Sequence, residues 1–276
     1  MRIQNKWFWI LLAAASVTTN AQWLHHPAPG TPRTKDGKPN LSAPAPRASN
    51  GKPDLSGIWQ PEASPIPDLI RLIPGGQNGL GEATPNKYFL NILADFKPGE
   101  EPLRTRPSAP LTLTTFQKDD PGLNCLPNGG PILDTLPVPF KLVQTPGVLL
   151  MLSEADTRFR QIFTDARKHP EDPQPSWMGY SVGKWDGDTL VVETIGFNDR
   201  GWLDAVGHAH SEALRVTERF RRRDFGHLDV QLTLDDTKTF TQPVTVKFTE
   251  VLLPDTDLIE SFCSENEKDL THSGLK

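Results

Sequence analysis

Cysteine is nearly missing: the 276 residues hold two, Cys125 and Cys263. That is too few for a zinc ribbon, and neither belongs to a Cys-x-x-Cys redox pair. Neither a Gly-x-Gly-x-x-Gly turn nor a phosphate loop ending in Gly-Lys-Ser/Thr occurs, so no nucleotide cofactor is implied. No serine-nucleophile elbow is read in the chain. Positive charge is also short, with 29 Lys+Arg against 34 Asp+Glu. A chain of net charge −5 has little to offer a phosphate backbone or an anionic bilayer, which argues against nucleic acid or a membrane surface as partner. The run Arg219, Arg221, Arg222, Arg223 reads as a solvated strand end.

Long apolar runs are confined to the start. Arg2 and Lys6 precede Trp7 to Ala15, and Thr19-Asn20-Ala21 follows, the three-part pattern of a cleavable secretory signal peptide over residues 1–21. The run is too short to serve as a membrane anchor, and no cysteine follows it to take a lipid. The expected location is therefore periplasmic or extracellular. In that oxidising setting Cys125 and Cys263 are expected to form a disulfide.

What the chain does have is proline. Of 27, 16 fall between Gln22 and Pro110, so this stretch should be extended or irregular. Residues 22–53 read as a flexible leader that hugs or trails the domain, and residues 54–139 as an irregular wrap beginning with a short strand at Asp54 to Trp59. A helix is expected over Tyr88 to Phe96. From Phe140 onward strands follow one another. A hairpin turns at Pro146-Gly147, and strands run over Arg158–Asp165, Met178–Trp185, Ala213–Arg221, Leu228–Leu234, Val244–Leu252 and Leu258–Cys263. Asp186-Gly187 is the strongest hairpin signal, linking Trp185 to Thr189. Leu228, Val230, Leu232 and Leu234 alternate with polar neighbours, so one face is packed and one wet. The expected fold of residues 54–276 is all-β, an antiparallel up-and-down barrel of lipocalin type, with an open sandwich as the alternative.

Two long motifs carry a resemblance. Phe163 to Pro170, then Ser176-Trp177-Met178-Gly179-Tyr180-Ser181-Val182-Gly183-Lys184-Trp185-Asp186-Gly187-Asp188-Thr189 through Thr194, with Gly196 to Asp199 and Gly207 to Glu212, resemble an uncharacterised family of secreted bacterial β-barrel-like proteins. That family tends to have glycine where this chain has Ala166. The Gly57 to Trp59 start is also similar to the opening of lipocalin barrels. The resemblance implies an exported barrel and no particular chemistry.

Candidate site residues fall in two groups. Glu193, Glu218 and Glu250 lie on otherwise apolar strand faces, where an ionised carboxylate must be paired or shifted toward its neutral form; Glu260 shows the same pattern. Inward arginines such as Arg158, Arg160, Arg215 or Arg219 would mark structure or binding, and an unpaired histidine would mark catalysis. The second group is His169 with Asp172, and His208, His210 and Glu212, expected to converge at one barrel mouth. Asp172 or Asp165 would orient His169 for proton transfer. Trp177 and Trp202 would wall the site for a ring-bearing ligand, and His208 and Glu250 would help bind it. The His-x-His and Glu212 spacing is compatible with a divalent metal, but acid-base work without a cofactor is the simpler role. The expectation is thus a small-molecule hydrolase or lyase using His169, Asp172, His210, Glu212, Glu193 and Glu218. The alternative is a non-catalytic binder of an apolar or aromatic ligand.

Overall fold

Strands that are apolar on one face can all bury that face at once if the sheet curls around it and meets itself. The computed structural model, which describes residues 26–73, 85–105, 121–122, 125–127 and 129–263, shows such a closed barrel of nine strands. They are β1 (Gly57–Pro61), β2 (Phe140–Thr145), β3 (Val148–Ser153), β4 (Phe159–Phe163), β5 (Tyr180–Asp186), β6 (Thr189–Ile195), β7 (Arg215–Arg222), β8 (His227–Asp235) and β9 (Val244–Leu252). Neighbours pair in chain order, and β9 closes on β1 through Trp59↔Leu252 and Pro61↔Glu250. The reading of residues 1–21 as a signal peptide lies outside the described residues.

The expected up-and-down pattern needs one correction: β4 and β5 run parallel, with Ile162 opposite Ser181 and Phe163 opposite Val182. Strand directions can alternate all the way round a ring only when the number of strands is even. With nine, one pair must match. It falls where the excursion from Thr164 to Gly179 carries the chain back along the barrel before β5 begins.

Turn chemistry sets the hairpins. Gly147, at φ +83°, turns β2 into β3. Asp186 pairs with Thr189, so the two-residue loop is Gly187-Asp188, one position later than the expected Asp186-Gly187. Gly187 takes the first central position at φ +58°, where a left-handed residue matches the twist of the strands.

The expected strand at Leu258–Cys263 does not form. With β1 and β9 already paired, the barrel offers it no free edge. The expected Tyr88–Phe96 helix is cut to Lys87–Leu90, because Asn91 turns extended and the Ile92 amide donates instead to Asp204 (2.7 Å). Two other single-turn helices, Ile66–Ile70 and Gly130–Leu133, complete the regular elements apart from a 3-10 turn at Ala155–Thr157.

Residues 26–53 lie along the barrel as tight turns. Arg33 pairs with Asp255 (2.5 Å) and Arg47 with Asp188 (2.7 Å), while the Gly226 amide donates to the Leu41 carbonyl. A Cβ at Gly226 would stand 2.4 Å from that of Leu41, so only glycine permits this approach. Cys125 and Cys263 are bonded, with Cα atoms 5.5 Å apart and a sequence separation of 138. For a loop that long the chain-entropy model gives a stabilisation of about 4 to 5 kcal/mol. Among the described residues no helix is long and apolar enough to cross a membrane.

Inside, two apolar clusters fill the ends. One gathers Trp59, Phe140, Leu149, Phe220 and Leu228, and the other Phe197, Leu214, Leu232, Phe240 and Val244. Arg222 corrects the reading of its run as solvated: it is buried at the first end, its guanidinium 4.9 Å from the Trp59 ring and 5.2 Å from that of Phe225. Backbone carbonyls of Asp54, Ser56 and Phe225 accept its protons, and burial lowers its pKa to about 10.

Candidate functional site

Between the two apolar clusters the inward positions turn polar. On β7, Glu218 stands between Val216 and Phe220, and all three point in. Its carboxylate takes both terminal nitrogens of Arg160 from β4, one at 2.6 Å. Arg160 Nε donates to Ser181 Oγ on β5 (3.0 Å), and Nη2 to Thr194 Oγ1 on β6 (2.8 Å). Burial works against the charge on Arg160, yet Glu218 holds its pKa above the ordinary value. The inward glutamate therefore has an inward arginine, the arrangement expected for structure or binding rather than proton transfer.

Ser181 is the middle of Gly179-Tyr180-Ser181-Val182-Gly183, which carries the letters of a nucleophile elbow that the sequence reading passed over. An elbow serine stands exposed on a strand-to-helix turn. This one is buried in the body of β5 and bonded to Arg160 and Thr194.

Two more carboxyls enter this polar layer. Glu250 on β9 is inward, as its alternation indicated, and neither oxygen has a hydrogen-bond partner. Asp134 has no sequence signal: it follows the Gly130–Leu133 turn in a wholly buried stretch that runs from Gly129 to Leu136. It lies 3.9 Å from Arg160, too far for a hydrogen bond, and neither oxygen has a donor, while its protonated form is within reach to donate to Glu218. Burial pushes the Asp134 pKa well up, and the charges of Glu218 and Glu250 add to that. Burial alone does the same for Glu250.

Glu193 corrects the other expectation for this group. Val192 and Thr194 are the inward residues of β6, and Glu193 faces solvent. Phe197, an even number of residues further on, is nevertheless buried, because Gly196 at φ +74° breaks the alternation between them. Glu260 is exposed, outside any strand.

The histidine group divides. His169 lies on the outer face of the β5–β6 hairpin, where its Nε2 donates to the Glu193 carbonyl (2.9 Å) and its ring meets Tyr180 edge-on. It lines an open cavity of about 470 Å³ with Trp185, Lys184 and Glu193. Neither expected orienting aspartate bonds to it: Asp165 is bound by Arg167, and Asp172 is exposed. His208 and His210 line a different cavity, of about 310 Å³, with Ser211, Lys238 and Thr239. Glu212 is exposed and lines neither. Among the described residues, His208 and His210 thus share one cavity, and His169 shares the other with Glu193.

That second cavity is built by a tight loop after β6. Asp204, fully buried, accepts from the amides of Ile92, Gly207 and His208, and from His208 Nδ1 at 2.6 Å. With Nδ1 donating to Asp204, Nε2 is the ring nitrogen of His208 left to act as an acceptor. His210 Nδ1 donates to the Ser211 carbonyl (3.2 Å), so its Nε2 is also an unprotonated acceptor, and burial lowers its pKa. The Ser211 hydroxyl donates to Asp236 and is engaged structurally. Trp202 packs beneath, its ring 3.4 Å from where a Cβ on Gly207 would stand. Trp177 lies elsewhere, under the Arg200 guanidinium at 4.9 Å. The sequence reading missed Asp204, although its four-residue offset from His208 in a Gly-containing loop was the available signal. Among the described residues no group of three or more His, Cys, Asp or Glu side chains is arranged to hold a metal ion.

No protein-family model matches the chain, and no curated protein matches it.

Proposed function

We propose that the protein is an exported enzyme acting on a small organic substrate by cofactor-free acid-base hydrolysis or elimination, with His208 as general base. One observation carries this: the buried Asp204 fixes His208 through Nδ1, and His208 lines a cavity that His210 shares. A base held by a third group, with its working nitrogen open to a pocket, is the arrangement that acid-base catalysis requires. Asp204 sets the tautomer and orientation. His210, neutral at pH 7, serves as a second proton acceptor or as a hydrogen-bond partner for substrate.

Export is part of the proposal, supported by the N-terminal pattern and the Cys125–Cys263 bond. So is membership of the secreted barrel family that the Ser176–Thr194 motif resembles. Purified protein screened against aryl esters, lactones and β-substituted carboxylic acids should turn over at least one of them. His208→Gln should lower kcat on that substrate by roughly 10²- to 10⁴-fold, with thermal melting within a few degrees of the parent. Full activity in His208→Gln would move the chemistry elsewhere.

A further inference from the structure

The polar layer inside the barrel has more carboxyls than its cation can satisfy. Asp134, Glu218 and Glu250 are each no more than 2% exposed, and the one cation among them, Arg160, gives its fork to Glu218. Its remaining donor contacts go to hydroxyls, not to the other two acids. Four carboxyl oxygens, two on Asp134 and two on Glu250, are left without a hydrogen-bond donor in a place closed to bulk water. Buried polar groups are nearly always partnered, because each unmade bond forfeits its hydration without return. Leucine or valine would fill either position at no such cost, as Leu232 and Val246 do on neighbouring strands.

We propose that this layer is a binding site for a small organic cation, a primary ammonium group, held between Asp134 and Glu250. An ammonium supplies three donors on one compact charge, which matches two nearby carboxyl groups whose four oxygens all lack donors. The Arg160–Glu218 pair forms the fixed wall of the site, bonded through Ser181 and Thr194 into β5 and β6. Asp134 enters the layer from the buried Gly129–Leu136 segment and not from a strand. Burial raises the pKa of both carboxyls, and a cation between them favours their ionised forms, so uptake of the cation is coupled to proton release. The site is distinct from the His208 cavity and does not depend on its role.

The test titrates propylammonium chloride into the intact, disulfide-bonded protein at pH 7, with sodium chloride and 1-propanol as controls. Thermal melting and proton release into weakly buffered solution are followed together. The expected result is a saturable rise of about 3–6 °C at ten times the apparent Kd, accompanied by proton release, with neither control reproducing it. Glu250→Gln and Asp134→Asn should each weaken the apparent affinity at least tenfold. Glu250→Leu, which removes the orphaned acid and keeps an apolar side chain, serves if an amide variant fails to fold, and should abolish proton release from that group. No saturable response, the same response to sodium chloride, or an unchanged affinity in the folded variants would overturn the proposal.

Discussion

At Ala166 the backbone takes φ +65°, a left-handed conformation that a side chain resists and glycine does not. Ala166 is exposed, and its replacement disturbs no packing. Relief of the left-handed penalty of about 1–2 kcal/mol, less the extra entropy glycine gives the unfolded chain, leaves a net gain of up to about 1 kcal/mol. Ala166→Gly should therefore raise the melting temperature by about 2–4 °C; a lower melting temperature would contradict the conformation. At this scale the sequence was partly legible. Glu218 and Glu250 were found because their strands alternate without interruption. Glu193 was misplaced because its strand is apolar on both faces, so periodicity could not say which face is inside. Asp134 and Asp204 lie in loops, where nothing periodic marks a buried acid.

Among the elements, β6 is the one on which most else depends. It pairs with β5 over Thr189 to Ile195 and with β7 over Leu190 to Thr194, and Val192 at its centre is fully buried. Proline there removes a ladder donor in a strand with neighbours on both sides. Val192→Pro is expected to yield no cooperative thermal transition and no native near-UV dichroism; a soluble variant melting like the parent would mean that the strand is an edge. The hairpin that precedes β6 was legible from Gly187, and only its register moved by one residue. The parallel β4–β5 step was not, since it follows from the odd strand count of the closed ring and not from any local signal. The absent Leu258–Cys263 strand has the same origin: its residues suit a strand, but closure of β9 on β1 leaves no edge for it.

For the molecule as a whole, the buried acids set how stability responds to pH. Asp134 and Glu250 have pKa values raised in the folded state, by burial first and, for Asp134, by Glu218 next. Unfolded, they would titrate near about 3.9 and 4.3. A raised carboxyl binds its proton more tightly when folded, so its contribution is fully present below the unfolded value and is lost as pH rises toward the folded one. Acids with lowered pKa values act in the opposite sense. Asp236, held down by the Ser211 amide and by Thr239, and Asp95, held down by Lys87 and Tyr88 against their burial, lose their contribution as pH falls. That second group is complete above about pH 5, since its unfolded values lie near about 3.9. From pH 5 upward the buried pair loses stability as pH rises, against His210, whose burial-lowered pKa works in the opposite sense up to about pH 6.5; the two acids bind more protons in the folded state than the one histidine binds in the unfolded state, so the parent protein should melt at progressively lower temperature between pH 5 and pH 8. Asp134→Asn and Glu250→Gln should each flatten that slope, and the double variant should flatten it further, because an amide has no proton to lose. Melting curves at fixed ionic strength in amine-free buffers would decide the matter. A melting temperature in the parent that rises from pH 5 to pH 8, or a slope unchanged in the double variant, would show that these two acids are not held neutral inside the barrel.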